Sequence, residues 1–235
     1  MTAEGAGAAK RRRPVAWSES APLLDSLGRD HAVRMRPSLH AFEVLSEAGE
    51  PLALFRPPIL QRSACSCSDI ADALGILKRG PGTVLILLYQ AGACAAGVST
   101  NGTLEEHKVL KKYVVRGTGR AQPTHLKTRG KSRYGSRLRL RNAVLLREQV
   151  LDKLASWAAA RGAFRTVAYS CPPTLRTGLL PTRSRRGDPP PGYLHPDAVL
   201  IRIPMDVRIP SFDELRRVHR ALLHGTLEGD PGVVG

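Results

Sequence analysis

Two apolar runs in the middle of the chain constrain its fold more than any other feature. They are TVLILLYQ, Thr83–Gln90, and ACAAGVST, Ala93–Thr100, joined through Gln90, Ala91 and Gly92. Short apolar runs without polar alternation are typical of strands that are buried on both faces of a sheet. The small residues of the second run imply that a helix packs closely against it. We therefore predict the buried centre of a sheet here.

Further strands are indicated on both sides of these runs. Residues 41–45 and 52–55 read as a hairpin around the turn EAGEP. VLKKYVVRG, residues 109–117, predicts a strand with Leu110, Tyr113 and Val115 as core candidates, and FRTVAYSC, residues 164–171, predicts another.

Helical patterns separate the strands. Residues 141–162 form the clearest helix, and its apolar residues recur at helical spacing; they are Leu146, Val150, Leu154 and Trp157. Residues 210–225 predict a second helix with a capping box at Ser211 and Glu214 and a stop at Gly225. Mixed strands and helices without a repeat predict an α/β fold with a central mixed sheet and flanking helices. We expect one domain over residues 31–225, a flexible basic N-terminal arm over 1–30 and a flexible tail over 226–235.

The charge of the chain indicates a polyanionic partner. The formal net charge is +16 and the sequence pI is about 10.6, which favours nucleic acid or an acidic membrane face. No apolar run approaches the roughly 18–20 residues that span a bilayer, so membrane insertion is not expected. The N-terminus lacks the apolar segment of a secretory signal. A cytoplasmic protein is expected, with residues 10–13, KRRR, as an alternative nuclear signal.

Cysteine spacing excludes the usual metal and disulfide frameworks. Cys65, Cys67, Cys94 and Cys171 are the only cysteines, and the Cys65–Cys67 spacing is one residue too short for a zinc knuckle. No metal ligands and no cofactor are predicted.

A long basic segment without carboxylates follows the apolar runs. No Asp or Glu occurs between Glu106 and Glu148. Residues 117–136 within it are rich in Gly, Ser and Thr, which predicts a loop on a strand-to-helix connection. From charge alone, a solvated basic loop remains open beside an RNA-binding one. Gly117 and Gly119 lack the third glycine of a dinucleotide fingerprint.

This segment resembles a known family. EEHKVLKKYVVRGTGRAQ, followed by KSRYGSRLRLRNAVLLREQVLDKLASW and, near the end, RIPSFDELRRVHRALL, resembles the release-factor-like domain of the Vms/ankyrin-repeat-and-zinc-finger proteins of ribosome quality control. The resemblance covers about residues 42–223 and implies a ribonuclease H-like domain, related to the middle domain of the eukaryotic class-one termination factor. No ankyrin repeat or zinc finger is evident in the chain, so a stand-alone paralogue is expected.

The resemblance also implies an activity and a site. The implied activity is peptidyl-tRNA cleavage on large ribosomal subunits, by a hydrolase or endonuclease. Because no clustered carboxylates and no Cys/His set accompany the loop, a metal-independent mechanism is expected, and the protein is expected to act as a monomer. By position, Gln122, Gly119 and Arg116 match the functional residues of the family's glycine-glutamine loop. An RNA-binding surface is expected from the basic residues around that loop, namely Arg120, Lys127, Arg129, Lys131, Arg133, Arg137, Arg139 and Arg141.

The chemistry of an amide limits what Gln122 can do. A primary amide has no titratable proton near neutral pH, so it orients a water or a ribose 2′-hydroxyl by hydrogen bonds rather than acting as a base. Arg116 would stabilise the developing negative charge. The alternative is a non-catalytic ribosome- or tRNA-binding paralogue that keeps the fold and the basic face, since Arg120 stands inside the glycine-glutamine motif.

Overall fold

A computed structural model describes residues 10–114, 131–176, 178–180 and 191–235, with the backbone alone for 131–134. The strands are β1 Arg11–Ala16, β2 Ala32–Arg36, β3 Ala41–Leu45, β4 Pro51–Arg56, β5 Thr83–Gln90, β6 Ala93–Thr100, β7 Thr103–Lys111, β8 Phe164–Ser170, β9 Leu194–Arg202 and β10 His224–Gly229. The helices are α1 Ser20–Asp30, α2 Ile70–Arg79, α3 Lys131–Arg161, α4 Pro173–Arg176, α5 Phe212–Leu222 and α6 Pro231–Val234. They belong to two compact units, residues 1–82 with 218–235 and residues 83–217.

The first unit is built on an antiparallel sheet of order β1-β10-β4-β3-β2. The predicted hairpin is confirmed as β3 and β4, whose inward residues Phe42 and Phe55 stack at 5.9 Å between ring centroids. Helix α2 begins after Asp69, whose carboxylate accepts a hydrogen bond from the Asp72 N–H at 2.8 Å. Such an N-cap satisfies one of the free amides of the first turn.

Both ends of the chain contribute strands to this sheet. Strand β10 lies between β1 and β4, and Arg11 pairs with Gly229 across 218 positions of sequence. Val15 of β1 and Leu227 of β10 are fully buried. At residues 10–30 and 226–235 the structure therefore differs from the predicted flexible arm over 1–30 and tail over 226–235, because β1 and β10 pair with each other. The basic residues 11–13 lie within β1.

The second unit contains the predicted mixed sheet. Its order is β7-β6-β5-β8-β9, with antiparallel pairing among the first three strands and parallel pairing of β5 with β8 and of β8 with β9. β5 is buried at six consecutive positions, as expected for a strand covered on both faces. The α/β fold class, with a mixed sheet and flanking helices, is confirmed.

Helix α3 covers one face of this sheet. The predicted apolar stripe is confirmed, since all four of its side chains are buried in the core of the second unit; they are Leu146, Val150, Leu154 and Trp157. The helix begins at Lys131 rather than at the predicted residue 141. On the opposite face, α5 brings a Leu215 methyl group within 3.0 Å of where a side chain on Gly97 would begin. The sheet is thus packed on both faces.

Two details predicted from the sequence are wrong. Tyr113 was expected in the core, but β7 ends at Lys111 and the Tyr113 side chain is 55% exposed. Gly225 was expected to stop the last helix, but α5 ends at Leu222 and Gly225 lies in β10. A side chain on Gly225 would begin 2.2 Å from the Arg56 carbonyl oxygen, so close backbone approach explains this glycine. The core candidate Val115 lies outside the described residues.

Candidate nucleic-acid interface

The predicted catalytic loop connects β7 to α3. Arg116, Gly119 and Gln122 lie outside the described residues, as do Arg120, Lys127 and Arg129. Lys131 and Arg133 fall in the first turn of α3, where the backbone alone is described. The described flanks of the loop are residues 112–114, called the loop entrance below, and the remainder of α3.

The loop entrance is held from two sides. The Lys112 N–H donates to the Gly92 carbonyl at 2.9 Å, which continues the sheet pairing beyond the end of β7. The Asn142 side-chain amide of α3 donates to the Tyr113 carbonyl at 2.8 Å. Gly92 has a φ of +86°, and a side chain there would begin 2.8 Å from the Lys112 carbonyl oxygen. The position and direction of the chain are thus fixed where it leaves the sheet.

The predicted arginines of α3 do not share one face. Arg137 and Arg141, four residues apart, are exposed and lie together on the helix surface, whereas Arg139 is half-buried. Leu140 lies beside the exposed pair and is itself 70% exposed. The structure therefore brings Arg137 and Arg141 together and sets Arg139 apart from them.

Nearly all of the net charge belongs to the second unit. Residues 83–217 contain 24 Lys and Arg against 9 Asp and Glu, whereas the rest of the chain contains 12 against 11. The surplus is therefore +15 in the unit that carries the loop and +1 in the other. Phosphate binding by Lys and Arg depends on such a local surplus.

The acidic residues of β7 lie at the end away from the loop entrance. Glu105 and Glu106 form ion pairs with Arg161 at 2.6 and 2.7 Å. The side-chain hydrogen bond from Arg161 lowers the pKa of Glu106 below its ordinary value. These carboxylates are thus neutralised by a partner within the same unit, and the pairs themselves are exposed and contribute little to stability.

A second segment is fixed at the same end of the sheet as the loop entrance. We call residues 203–209 the edge segment. The Gln90 side-chain amide, at the end of β5, donates to the Val207 and Arg208 carbonyls at 2.8 and 3.1 Å. The Arg217 guanidinium donates to the Asp206 carbonyl at 2.6 Å. The backbone of this segment is therefore held at several points.

Glu214 links the edge segment to α5. Its N–H donates to Ser211 Oγ at 3.1 Å, as the predicted capping box requires, but its carboxylate accepts from the Arg208 N–H at 2.8 Å instead. Glu214 is only 5% exposed. The Arg217 guanidinium is the main cause that lowers the pKa of this carboxyl, followed among the favourable contacts by the Arg208 N–H.

The described residues contain neither a metal-binding cluster nor a membrane-spanning helix. No group of three His, Cys, Asp or Glu side chains in this part of the chain is arranged to hold a metal ion. No helix among the described residues is both long and apolar enough to cross a membrane.

Comparison with known proteins decides the family. The family model described as Bacteroidetes VLRF1 release factor matches residues 84–229, more than half of the 235 residues. The chain belongs to this release-factor family. The match includes β5 to β10, the loop and α3, so the predicted release-factor relationship is confirmed. Membership supports a ribosome-associated, release-factor-like role in translation and ribosome-related partners.

Two other comparisons complete the findings. No curated protein matches the chain. A solved structure titled Vms1 mitochondrial localization core is 12% identical, with 86% of this chain and 80% of that chain covered and a TM-score of 0.48.

The structure adds residues that the sequence did not single out. Gly92 and Asn142 fix the loop entrance, and Arg208 lies at the same end of the sheet. For Gly92 the available signal was a glycine between two apolar strands, which also fits an ordinary hairpin turn. Gly92 and Asn142 contact loop-entrance residues that are about 20 and 30 positions away in the sequence. A short stretch of sequence therefore cannot predict these contacts.

Proposed function

We propose that this protein releases nascent chains from peptidyl-tRNA on large ribosomal subunits, acting as a cytoplasmic monomer with residues 117–122 as its active-site loop. The observation that carries the proposal is the release-factor match, which includes this loop and the strand and helix on either side of it. The +15 surplus of the same unit supports an RNA substrate.

Gln122 is proposed to orient the attacking group. A glutamine amide both donates and accepts hydrogen bonds, so it can fix a water or a ribose 2′-hydroxyl in the direction of attack. Arg116 would stabilise the negative charge that develops in the transition state. Gly119 lacks a side chain, which allows a close approach to the RNA backbone.

Two cleavage routes are compatible with these roles. Attack of water on the ester yields a peptide with a free carboxylate and a tRNA with an intact 3′-hydroxyl. Attack of a 2′-hydroxyl on the neighbouring phosphodiester leaves a shortened tRNA that ends in a cyclic phosphate, while the peptide keeps a terminal nucleotide fragment. One gel of the released tRNA, which resolves intact from shortened ends, distinguishes them.

The RNA is proposed to lie against the loop and the first half of α3. Arg137 and Arg141 support this placement because they are exposed on one helix face beside the loop. Phosphate contacts are also proposed for the remaining basic residues predicted from the sequence, which are Arg120, Lys127, Arg129, Lys131, Arg133 and Arg139.

The second candidate function is binding without cleavage. Arg120 within the glycine-glutamine motif favours it, because a long cationic side chain stands where the loop must approach RNA. Both candidates predict salt-sensitive binding to tRNA. Release activity distinguishes them.

The decisive experiment uses large subunits that carry labelled peptidyl-tRNA. We expect the wild-type protein to release the peptide, and Gln122→Ala to lower the rate by about 10²- to 10³-fold, as when one transition-state hydrogen bond is lost. Gln149→Ala, an exposed glutamine of α3, is the matched control and should release normally. A wild-type protein that binds tRNA but releases nothing would leave the binding function in place of the catalytic one.

A further inference from the structure

The fold uses the backbone of Arg208 but not its side chain. The Arg208 N–H donates to Glu214, and its carbonyl accepts from Gln90. The guanidinium is exposed and forms no ion pair or hydrogen bond within the described part of the chain. Its charge acts on Glu214 from a distance and is a minor cause of the lowered pKa of that carboxyl. An alanine at this position would keep both backbone bonds.

Three of the residues that follow Arg208 have structural partners within the second unit. Ser211 caps α5, and Phe212 stacks on His107 with 4.0 Å between ring centroids. Leu215 packs over Gly97. The Arg208 side chain, unlike those of Ser211, Phe212 and Leu215, has no such contact with the described residues.

Asp206, the carboxylate of the edge segment, interacts electrostatically with Arg217. Glu214 is the main cause that raises the pKa of Arg217, and Asp206 contributes to the same shift. The negative charge of Asp206 thus acts on Arg217 within the same unit.

Strand register places Arg208 close to the loop entrance. Lys111 pairs with Ala93, and Ala93 pairs with Gln90, whose side chain binds the Arg208 carbonyl. Two strand spacings separate Gln90 from Lys111, or about 10 Å. An RNA strand that reaches the loop from this end of the sheet passes the Arg208 side chain.

We propose that Arg208 binds a backbone phosphate of the RNA on which the loop acts, so that the RNA-binding surface extends along the end of the sheet from the loop entrance to the edge segment. This inference rests on the proposed function. Arg208 is a substrate-binding residue in this arrangement and takes no part in bond cleavage. The bonds that fix its backbone hold the Cα of Arg208 in place before RNA arrives, so only the rotamer freedom of the side chain is lost on binding.

The test compares two arginines at opposite ends of the same sheet. Arg165 is exposed at the start of β8 and forms no ion pair with the described residues, so Arg165→Ala is the matched control for Arg208→Ala. Binding of fluorescently labelled deacylated tRNA is measured over a series of KCl concentrations. For Arg208→Ala we expect the slope of log affinity against log salt to become less negative by about 0.7–0.9, the loss of one phosphate contact. Arg208→Lys should restore the slope, and Arg165→Ala should leave it unchanged.

The outcomes separate this inference from the proposed function. If wild-type protein binds tRNA and releases peptide while Arg208→Ala and Arg165→Ala have equal slopes, the inference is overturned and the proposed function stands. If wild-type protein shows no salt-dependent binding to tRNA, both the inference about Arg208 and the proposed function are overturned. Unchanged Trp157 fluorescence in each variant, measured in a Trp17→Phe background, verifies that the second unit remains folded.

Discussion

Replacing Gly92 by alanine is expected to displace the loop entrance. The new methyl group would begin 2.8 Å from the Lys112 carbonyl oxygen and 3.5 Å from Val114 Cβ. An ordinary contact of 3.4 Å with that oxygen requires a shift of about 0.6 Å. The oxygen belongs to the backbone, so the shift passes to the chain that enters the loop.

The energetic cost has two parts that a control can separate. An alanine at a φ of +86° costs about 1–2 kcal/mol in backbone strain. Crowding of the Lys112 carbonyl adds about 1–3 kcal/mol, as in other overpacked sites. Gly49, in the β3–β4 turn, has a φ of +81° and nothing within 4 Å of the position that a side chain would take. Gly49→Ala therefore carries the strain without the crowding.

Two measurements follow from this pair. Trp17 and Trp157 are the only tryptophans, and they lie in different units. In a Trp17→Phe background, the urea dependence of Trp157 fluorescence reports the free energy of unfolding of the second unit, which contains Gly92. In a Trp157→Phe background, Trp17 fluorescence reports that of the first unit, which contains Gly49. The rate of peptide release from large subunits reports whether the loop that follows the loop entrance is still correctly positioned. Because a misplacement of about 1 Å can cost 10²-fold in rate, we expect Gly92→Ala to slow release by about tenfold or more.

The release rates of the two glycine variants test whether Gly92 positions the loop. Gly49→Ala should release at the wild-type rate. If Gly92→Ala destabilises the second unit as calculated but releases peptide at the rate of Gly49→Ala, the loop entrance does not position the active loop.

The remaining predictions concern α3 and α5. Asn142→Leu removes the amide that holds the loop entrance, so stability of the second unit should fall by about 1 kcal/mol in urea unfolding and the release rate should fall with it. Leu154→Ala should cost about 2–5 kcal/mol by the same assay, whereas Leu140→Ala on the exposed face should change stability by less than about 0.5 kcal/mol. Glu214 has a lowered pKa, chiefly through Arg217, so its stabilising effect is complete above its ordinary pKa of about 4.3 and is lost as the pH falls below that value. Urea unfolding between about pH 6 and pH 3 should show this loss, and Glu214→Gln should flatten it.

The elements that could be predicted are those that short stretches of sequence encode. β5 and β6 are apolar throughout, and Leu146 to Trp157 recur at helical spacing, so each carries its own signal. β1 and β10 have the sequences RRRPVA and HGTLEG, which carry no strand signal. They become strands because each finds a partner at the other end of the chain, and strand propensity depends on such context. Residues 135–140 of α3 have no buried position and so carry no apolar stripe, which is why the predicted helix begins too late.

The candidate site likewise contains some residues that the sequence alone indicates and others that only the structure identifies. The basic segment and Gln122 are local features that the sequence displays directly. The roles of Gly92 and Asn142 depend on distances to residues 112–114, which are far from them in sequence. For Arg208 the sequence shows a charge, and the structure shows that the fold leaves this charge available.

The position of β10 determines how the chain can be shortened. The family match ends with β10 at residue 229 but begins at residue 84, after both of the strands that pair with β10. A protein trimmed to the matched residues would keep β10 and lose β1 and β4, which leaves two unpaired strand edges and the side chain of Leu227 uncovered. Bare edges of this kind template aggregation. Solubility and refolding of a fragment that starts at residue 84 would therefore suffer even with residues 117–122 intact, so fragments meant for activity measurements should retain residues 10–82.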